Sequence, residues 1–367
     1  MRRARTGLIS AIAALATVAS VSACGSSGGG GGGTSSSGTS AKGGGSSTGA
    51  LKIGYILPQT GQLAKEGLGA PQIAAVKYAV KVINDAGGVN GTKVPSPPPG
   101  QDETDSPSKA ASNVQNLLNA GENVIIGAAA SGQTLAIINK VVQAGVVECS
   151  GSNTTPTLTN YKDNGYYFRT APSDALQGPV LGNLVVRTGH KKVAIAYRSD
   201  DYGKGLSKAT AAAIKKAGGQ VVLNESYGTK ATTFGALVSK IQSARPDAIV
   251  LVSFGEAAEI IKSLIEAGIG PKKVALFGTD GTRSEKLPAQ VNPGNPKVLD
   301  GMMGTADAST KNKTFISNLK KFDPKLQTEQ YAPQVFDCTV IAALAADEAH
   351  SNNPAKIKQH MIDVTKG

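Results

Sequence analysis

A hydroxyl and a carboxylate stand where an α/β sheet would put ligand contacts. Ser131, in Ala130-Ser131-Gly132-Gln133-Thr134, falls where a strand pattern gives way to a helical one. A hydroxyl beside the free backbone N–H groups of a helix start favours an anion, although a plain N-cap would look the same. Asp280, in Phe277-Gly-Thr-Asp280-Gly281, follows another strand pattern, and a carboxylate just past a strand end faces the crevice of such a sheet. A solvated turn aspartate has the same signature. Asn153 and Thr154, in Ser152-Asn153-Thr154-Thr155-Pro156, offer an amide and a hydroxyl, or form an Asx/ST turn before a helix.

Other chemistries are poorly served. The three histidines, His190, His350 and His360, are dispersed and make no metal-ligand spacing. No Ser-His-Asp order, metal cluster or phosphate loop is present, so an enzyme is not expected, and neither is a cofactor. Gly67-Leu-Gly69 and Gly203-Lys-Gly205 lack the third glycine of a dinucleotide fingerprint. They are expected to shape turns that let a small ligand approach the backbone. Two G-x-S-x-G matches, beginning at Gly25 and Gly45, lie in a glycine-serine tract rather than between a strand and a helix, so neither is a nucleophile elbow.

Strands alternating with amphipathic helices must position these groups. Residues 52–57 alternate as a strand, a glycine-bearing turn follows, and Ile73, Val76, Val80 and Ile83 share one face of a helix over 71–86 that Gly87-Gly88 stops. The same grammar recurs as strand 192–197, turn 202–205 and helix 206–217, closed by Gly218-Gly219. Further βα units follow, with strand 123–126 before a helix from Gln133 and strand 247–252 before a helix from Glu256. Two such series predict parallel sheets covered on both faces, in two similar lobes.

The chain begins with an export signal. Arg2, Arg3 and Arg5 precede a short apolar run over 8–21, and Val21-Ser22-Ala23-Cys24 closes it. This stretch resembles a bacterial lipobox, which implies lipidation of Cys24 after removal of 1–23. Residues 24–50 then read as a Gly/Ser tether, a coil with a span of roughly 25–30 Å. Once Cys24 carries lipid, Cys149 and Cys338 remain: either one disulfide in an oxidising compartment or two buried thiols. The formal charge is +12, but the lysines scatter along helix faces and there is no tryptophan. No basic patch interleaved with aromatics points to nucleic acid.

From residue 51 onward the chain resembles the Leu/Ile/Val-type substrate-binding proteins of ABC transporters. The resemblance rests on Ile53-Gly-Tyr-Ile-Leu-Pro-Gln-Thr-Gly61, Ile83-Asn-Asp-Ala-Gly-Gly-Val-Asn-Gly91, Tyr167-Phe-Arg-Thr-Ala-Pro-Ser-Asp174, Asp201-Tyr-Gly-Lys-Gly205 and Thr232-Thr-Phe-Gly-Ala-Leu237. It implies two Rossmann-like α/β lobes with parallel central sheets, joined by a hinge in the manner of type I periplasmic binding proteins. The first lobe would comprise 51–170 and 305–367, and the second 171–304. It also implies a non-enzymatic protein that captures an amino acid and delivers it to a membrane permease, held outside the cytoplasm by its lipid anchor. In that family's pattern Ser131 and Thr154 bind the ligand's carboxylate end, with the Asn153 carbonyl oxygen beside them. Tyr202 closes over the ligand, and Asp280 pairs with its ammonium. Both ends together specify a zwitterion. A receptor for an amide, urea or a small organic acid is the alternative within the same fold.

Departures from the pattern carry expectations too. Glu66 and Phe254 stand where the family places aromatic residues near the ligand side chain; an acidic Glu66 suits a polar or cationic group, or sits on the rim in water. The proline run Pro95-Ser-Pro-Pro-Pro99 is expected to replace the second strand of the first lobe with a loop, tolerable only at a sheet edge. The sequence stops earlier than the family pattern, and a truncated C-terminus is expected.

Overall fold

The computed structural model describes residues 49–307 and 312–366. The signal segment 1–23, Cys24 and nearly all of the tether lie outside the described residues.

The first sheet is built from βα units in chain order. Strand β1 (Ile53–Leu57) is buried along its whole length. Helix α1 (Gly61–Lys65) follows, and its Gln62 and Leu63 N–H groups donate to the Asp105 carboxylate at 2.6 and 2.9 Å. Helix α2 (Ala70–Asp85) starts with Pro71 in its first turn, buries Val76, Val80 and Ile83, and ends before Gly87 and Gly88, both at positive φ. Next come β2 (Gly100–Asp102), α3 (Pro107–Asn119), β3 (Val124–Gly127), α4 (Ser131–Gln143), β4 (Val147–Ser150) and β5 (Tyr167–Arg169). The strands are all parallel, in the order β2-β1-β3-β4-β5, with Ile53 opposite Val124 and Val124 opposite Val147.

After Arg169 the chain crosses to the second sheet. Helix α5 (Asp174–Arg187) is capped by the Ser173 hydroxyl and packs on α6 (Asp201–Lys216), which follows β6 (Lys192–Arg198). Then come β7 (Gln220–Tyr227), α7 (Gly235–Ala244), β8 (Ala248–Val252), α8 (Ala257–Glu266), β9 (Ala275–Gly278), α9 (Leu287–Val291) and β10 (Met303–Gly304). This sheet is also parallel, ordered β10-β9-β8-β6-β7. The chain then returns to the first lobe through α10 (Lys313–Phe322), α11 (Ala332–Glu348) and α12 (Pro354–His360). Helix α11 lies along α2, where Tyr78 packs against Phe315 and Phe336 with centroids 6.2 and 5.6 Å away. A disulfide ties Cys338 of α11 to Cys149 of β4, both fully buried. The two α/β lobes and their parallel sheets are those the sequence predicts.

Three local expectations are corrected. The second strand of the first lobe exists: β2 follows the proline run and takes the edge position, where a three-residue strand needs pairing on one side only. Its Gly100 lies under the Tyr55 ring; a Cβ there would fall 2.1 Å from Tyr55 Cζ. Part of the expected turn after β1 is helical, as α1. Residues 202–205 are no turn but the first turn of α6, because the Asp200 side chain accepts from the Gly203 N–H at 2.9 Å and starts the helix earlier. Their glycines serve packing. A Cβ on Gly203 would sit 1.9 Å from the Arg198 carbonyl oxygen, and one on Gly205 2.8 Å from Pro156 Cδ in the opposite lobe.

Candidate functional site

In open parallel sheets ligands bind beyond the carboxyl ends of the strands, and here those ends from both lobes meet. Ala129, Ala130 and Ser131 follow β3, and Ser152 follows β4. From the other side Tyr202 comes from the start of α6, Phe254 from the end of β8 and Asp280 from the end of β9. With Leu68 and Tyr331 these residues line one small cavity between the lobes.

Asp280 is the charged centre of this cavity and is 3% exposed. Its Oδ1 accepts from Tyr202 Oη at 2.7 Å and Gln177 Nε2 at 3.1 Å, and its Oδ2 accepts from Tyr331 Oη at 2.7 Å. Donors from α5, α6 and the loop before α11 therefore fix the carboxylate's orientation. The Tyr202 ring stacks on Phe254, with centroids 4.9 Å apart and planes 8° from parallel. Burial, followed by the Asp280 charge, raises the Tyr202 phenol well above its ordinary value, so it acts as a neutral donor.

A second carboxylate, Asp174, is completely buried near Asp280. The buried Thr154 hydroxyl lies against its carboxyl, and the Asp174 N–H donates to the Thr154 carbonyl at 2.7 Å. Desolvation, and then repulsion from Asp280, push Asp174 up to about 8; Thr154 and Arg169 pull weakly the other way. A buried acid and a buried hydroxyl with, among the described residues, no side-chain partner other than each other have hydrogen-bonding capacity to spare near Asp280.

On the first-lobe side, Ser131 is the first residue of α4 rather than its N-cap, and its Oγ accepts from the Thr155 N–H at 3.4 Å. The N–H groups just before it are not free. Those of Ala129 and Ala130 donate to the Glu103 carboxylate at 2.5 and 3.0 Å, and burial pushes Glu103 up to about 8 in spite of them. Anion capacity at this helix start is thus confined to the Ser131 hydroxyl and the Ser131 and Gly132 N–H groups.

Asn153 and Glu66 do not line the cavity. Asn153 is committed to holding its own lobe together. Its amide donates to the Ala128 and Ala129 carbonyls at 3.1 and 2.9 Å, its Oδ1 accepts from Tyr167 Oη at 3.0 Å, and its carbonyl accepts from Arg169 at 3.3 Å. Glu66 turns to Arg198 of the second lobe, 3.5 Å away, whose Cζ lies 4.0 Å over the Phe254 ring. So the structure brings Ser131, Tyr202, Phe254 and Asp280 to one cavity, while Thr154, Asn153 and Glu66 are not among the residues that line it.

Sequence reading missed Asp174, Gln177, Ser152 and Tyr331. Asp174 carried a usable signal, an acid at the first position of a strongly apolar helix, directly after the crossing. Tyr331 carried none, because its place depends on a left-handed turn, φ 59°, far along the chain. Among the described residues, no group of three or more His, Cys, Asp or Glu side chains could hold a metal ion.

Two parallel-sheet lobes whose strand ends meet over a small cavity holding Asp280 and Ser131 define a two-lobed binding protein of the type I periplasmic class. The chain belongs to the periplasmic binding protein family, whose pattern it matches over residues 50–365. It is 28% identical over 341 residues to an amino acid binding protein of Pseudomonas aeruginosa, covering 88% of this chain and 87% of that one. It is also 28% identical over 327 residues to the Leu/Ile/Val-binding protein homolog 1 of Brucella melitensis, covering 87% and 84%. Among solved structures it resembles the branched-chain amino acid transporter substrate binding protein LivJ of Streptococcus pneumoniae, in complex with isoleucine. The TM-score is 0.71 at 26% identity, covering 85% of this chain and 88% of that one. Family and relatives are substrate-binding proteins, and the family is an extracytoplasmic one.

Proposed function

We propose that this protein captures an amino acid between its lobes and delivers it to an ABC-type permease, without chemical turnover. The observation that carries the reading is a carboxylate and a hydroxyl on opposite sides of one cavity. Asp280, oriented by three donors, faces it from the second lobe, and the Ser131 hydroxyl faces it from the first. A ligand ammonium pairs with Asp280, with Asp174 as a second acceptor nearby; the carboxylate takes Ser131, the helix-start N–H groups and the Thr154 hydroxyl. Leu68, Tyr202 and Phe254 supply the apolar wall. The cavity has a volume of about 10 Å³, so the lobes must part to admit an amino acid; an aliphatic side chain is in keeping with the ligands that the relatives' names give. Because the ligand touches both lobes it stabilises the closed form over the open one.

Lipidation of Cys24 would hold this receptor at the membrane. Among the described residues no helix is long and apolar enough to cross one. A Cys24→Ala variant should leave the membrane fraction for the medium, and its retention there would remove the anchor.

The test of ligand class is a thermal-shift screen with leucine, isoleucine, valine, neutral amides and organic acids. Branched-chain amino acids are expected to raise the melting temperature. Asp280→Asn, which keeps an acceptor for Tyr202 and loses the charge, should abolish that shift. Stabilisation by amides or organic acids alone would replace the zwitterion with the alternative ligand class.

A further inference from the structure

Behind the cavity wall lies a second buried charge cluster that ligand capture does not use. Its centre is Arg198, at the end of β6 and 3% exposed. Arg198 Nη1 donates to Glu256 Oε1 at 2.9 Å, and Nε pairs with Asp200. Tyr227 Oη donates to the same Glu256 oxygen at 2.8 Å, and the guanidinium covers Phe254. All these groups belong to the second lobe.

One member does not. Glu66, in the loop after α1, comes from the first lobe and places Oε2 3.5 Å from Arg198 Nη1, with its side chain 3% exposed. The lobes touch here: a Cβ on Gly255 would lie 3.1 Å from Glu66 Cα. Counting charges, one guanidinium faces three carboxylates, those of Glu66, Asp200 and Glu256. The two second-lobe acids already outnumber it. A third ionised carboxylate entering from across the cleft adds repulsion in a place with little water to screen it. Gln62 is the first-lobe neighbour that hydrogen-bonds Glu66.

We propose that Glu66 is a proton-coupled latch between the lobes: closing the cleft carries its carboxyl from water into the Arg198 nest, and the closed form takes up a proton there. The protonated carboxyl keeps its hydrogen bond with Arg198 and removes the repulsion with Glu256. It also steadies Arg198 over Phe254, and through Phe254 the Tyr202 ring, so the latch sets the shape of the cavity wall it does not itself line. The electrostatics agree in sign. Burial first, then Glu256, raise Glu66 from 4.5 to about 8, more than Arg198 and Gln62 lower it. In an open cleft the carboxyl returns to water and to the ordinary value. Closure is therefore favoured below about pH 8 and weakens as pH rises through it.

The experiment is small-angle scattering of the full chain without added ligand, at pH 6 and pH 9, and so does not depend on which ligand the protein takes. The radius of gyration should increase from pH 6 to pH 9. Glu66→Gln, the neutral isostere, should stay as compact at pH 9 as the parent is at pH 6, and Glu66→Ala should be wider than the parent at pH 6. Hydrogen exchange over residues 253–257 gives a second readout, slow in the compact form and faster in the wide one. A parent radius that does not change with pH overturns the latch. So does a pH response that Glu66→Gln retains, which would assign the proton to another group such as Asp174.

Discussion

Asp280 does two jobs that a pair of substitutions can separate. It is the acceptor for three buried donors, Tyr202, Gln177 and Tyr331, and among the described residues it is the only carboxylate lining the cavity. Asp280→Ala should cost stability as well as affinity, because the buried Tyr331 hydroxyl loses its acceptor, at about 1–3 kcal/mol, while Tyr202 keeps Thr279 and Gln177 keeps Thr305. Asp280→Asn should hold the melting temperature much closer to the parent while lowering amino-acid affinity by roughly a hundredfold, the scale of a broken buried charge pair. Calorimetric titration of both variants with leucine reads the difference, and equal affinities in parent and Asn variant would remove the ammonium contact. The sequence pointed to Asp280 because a strand end preceded it. It could not show the three donors, which come from residues 103, 78 and 51 positions away.

At the scale of elements, the parallel strands were legible because each is a short apolar run followed by an amphipathic helix. The edge strand β2 was not, since three partly buried residues after a proline run carry no alternation. The start of α6 was misplaced for a related reason: Gly-x-Gly reads as a turn unless the cap in front of it, Asp200, is weighed. Gly205 in that helix makes a sharp prediction. Alanine is the better helix former by about 1 kcal/mol, so Gly205→Ala should leave the unliganded protein as stable as the parent or more so. Its methyl would meet Pro156 Cδ at 2.8 Å and Thr155 Oγ1 at 3.1 Å across the cleft, so closure should be obstructed. Weakened leucine binding with an undiminished melting temperature is the expected pair of results. Unchanged binding would mean that the lobes do not close this far.

For the whole molecule, several carboxyls are buried at once, and their effect on stability has one sign. Burial pushes Glu66, Glu103 and Asp174 each up to about 8, from 4.5, 4.5 and 3.8. The native state therefore holds protons that the unfolded chain releases. The stability they confer is present in full below the unfolded values and is lost as pH rises through about 8. The melting temperature should fall by at least ~5 °C between pH 5 and pH 8.5. A flat or rising profile over that range would show these groups ionised in the folded protein. Glu103→Gln, which keeps an acceptor at the start of α4, should flatten part of the slope.

The disulfide has a topological consequence. Cys149 and Cys338 are 189 positions apart, and the whole second sheet lies between them. The second lobe is thus a segment of a covalent ring whose clasp is in the first lobe. Closing so long a loop stabilises the fold by about 5 kcal/mol on a chain-entropy account. It also means that one protease cut anywhere in the second lobe opens the ring without dividing the molecule. The nicked protein should run as a single chain on a denaturing gel and split into two fragments only when a thiol is added.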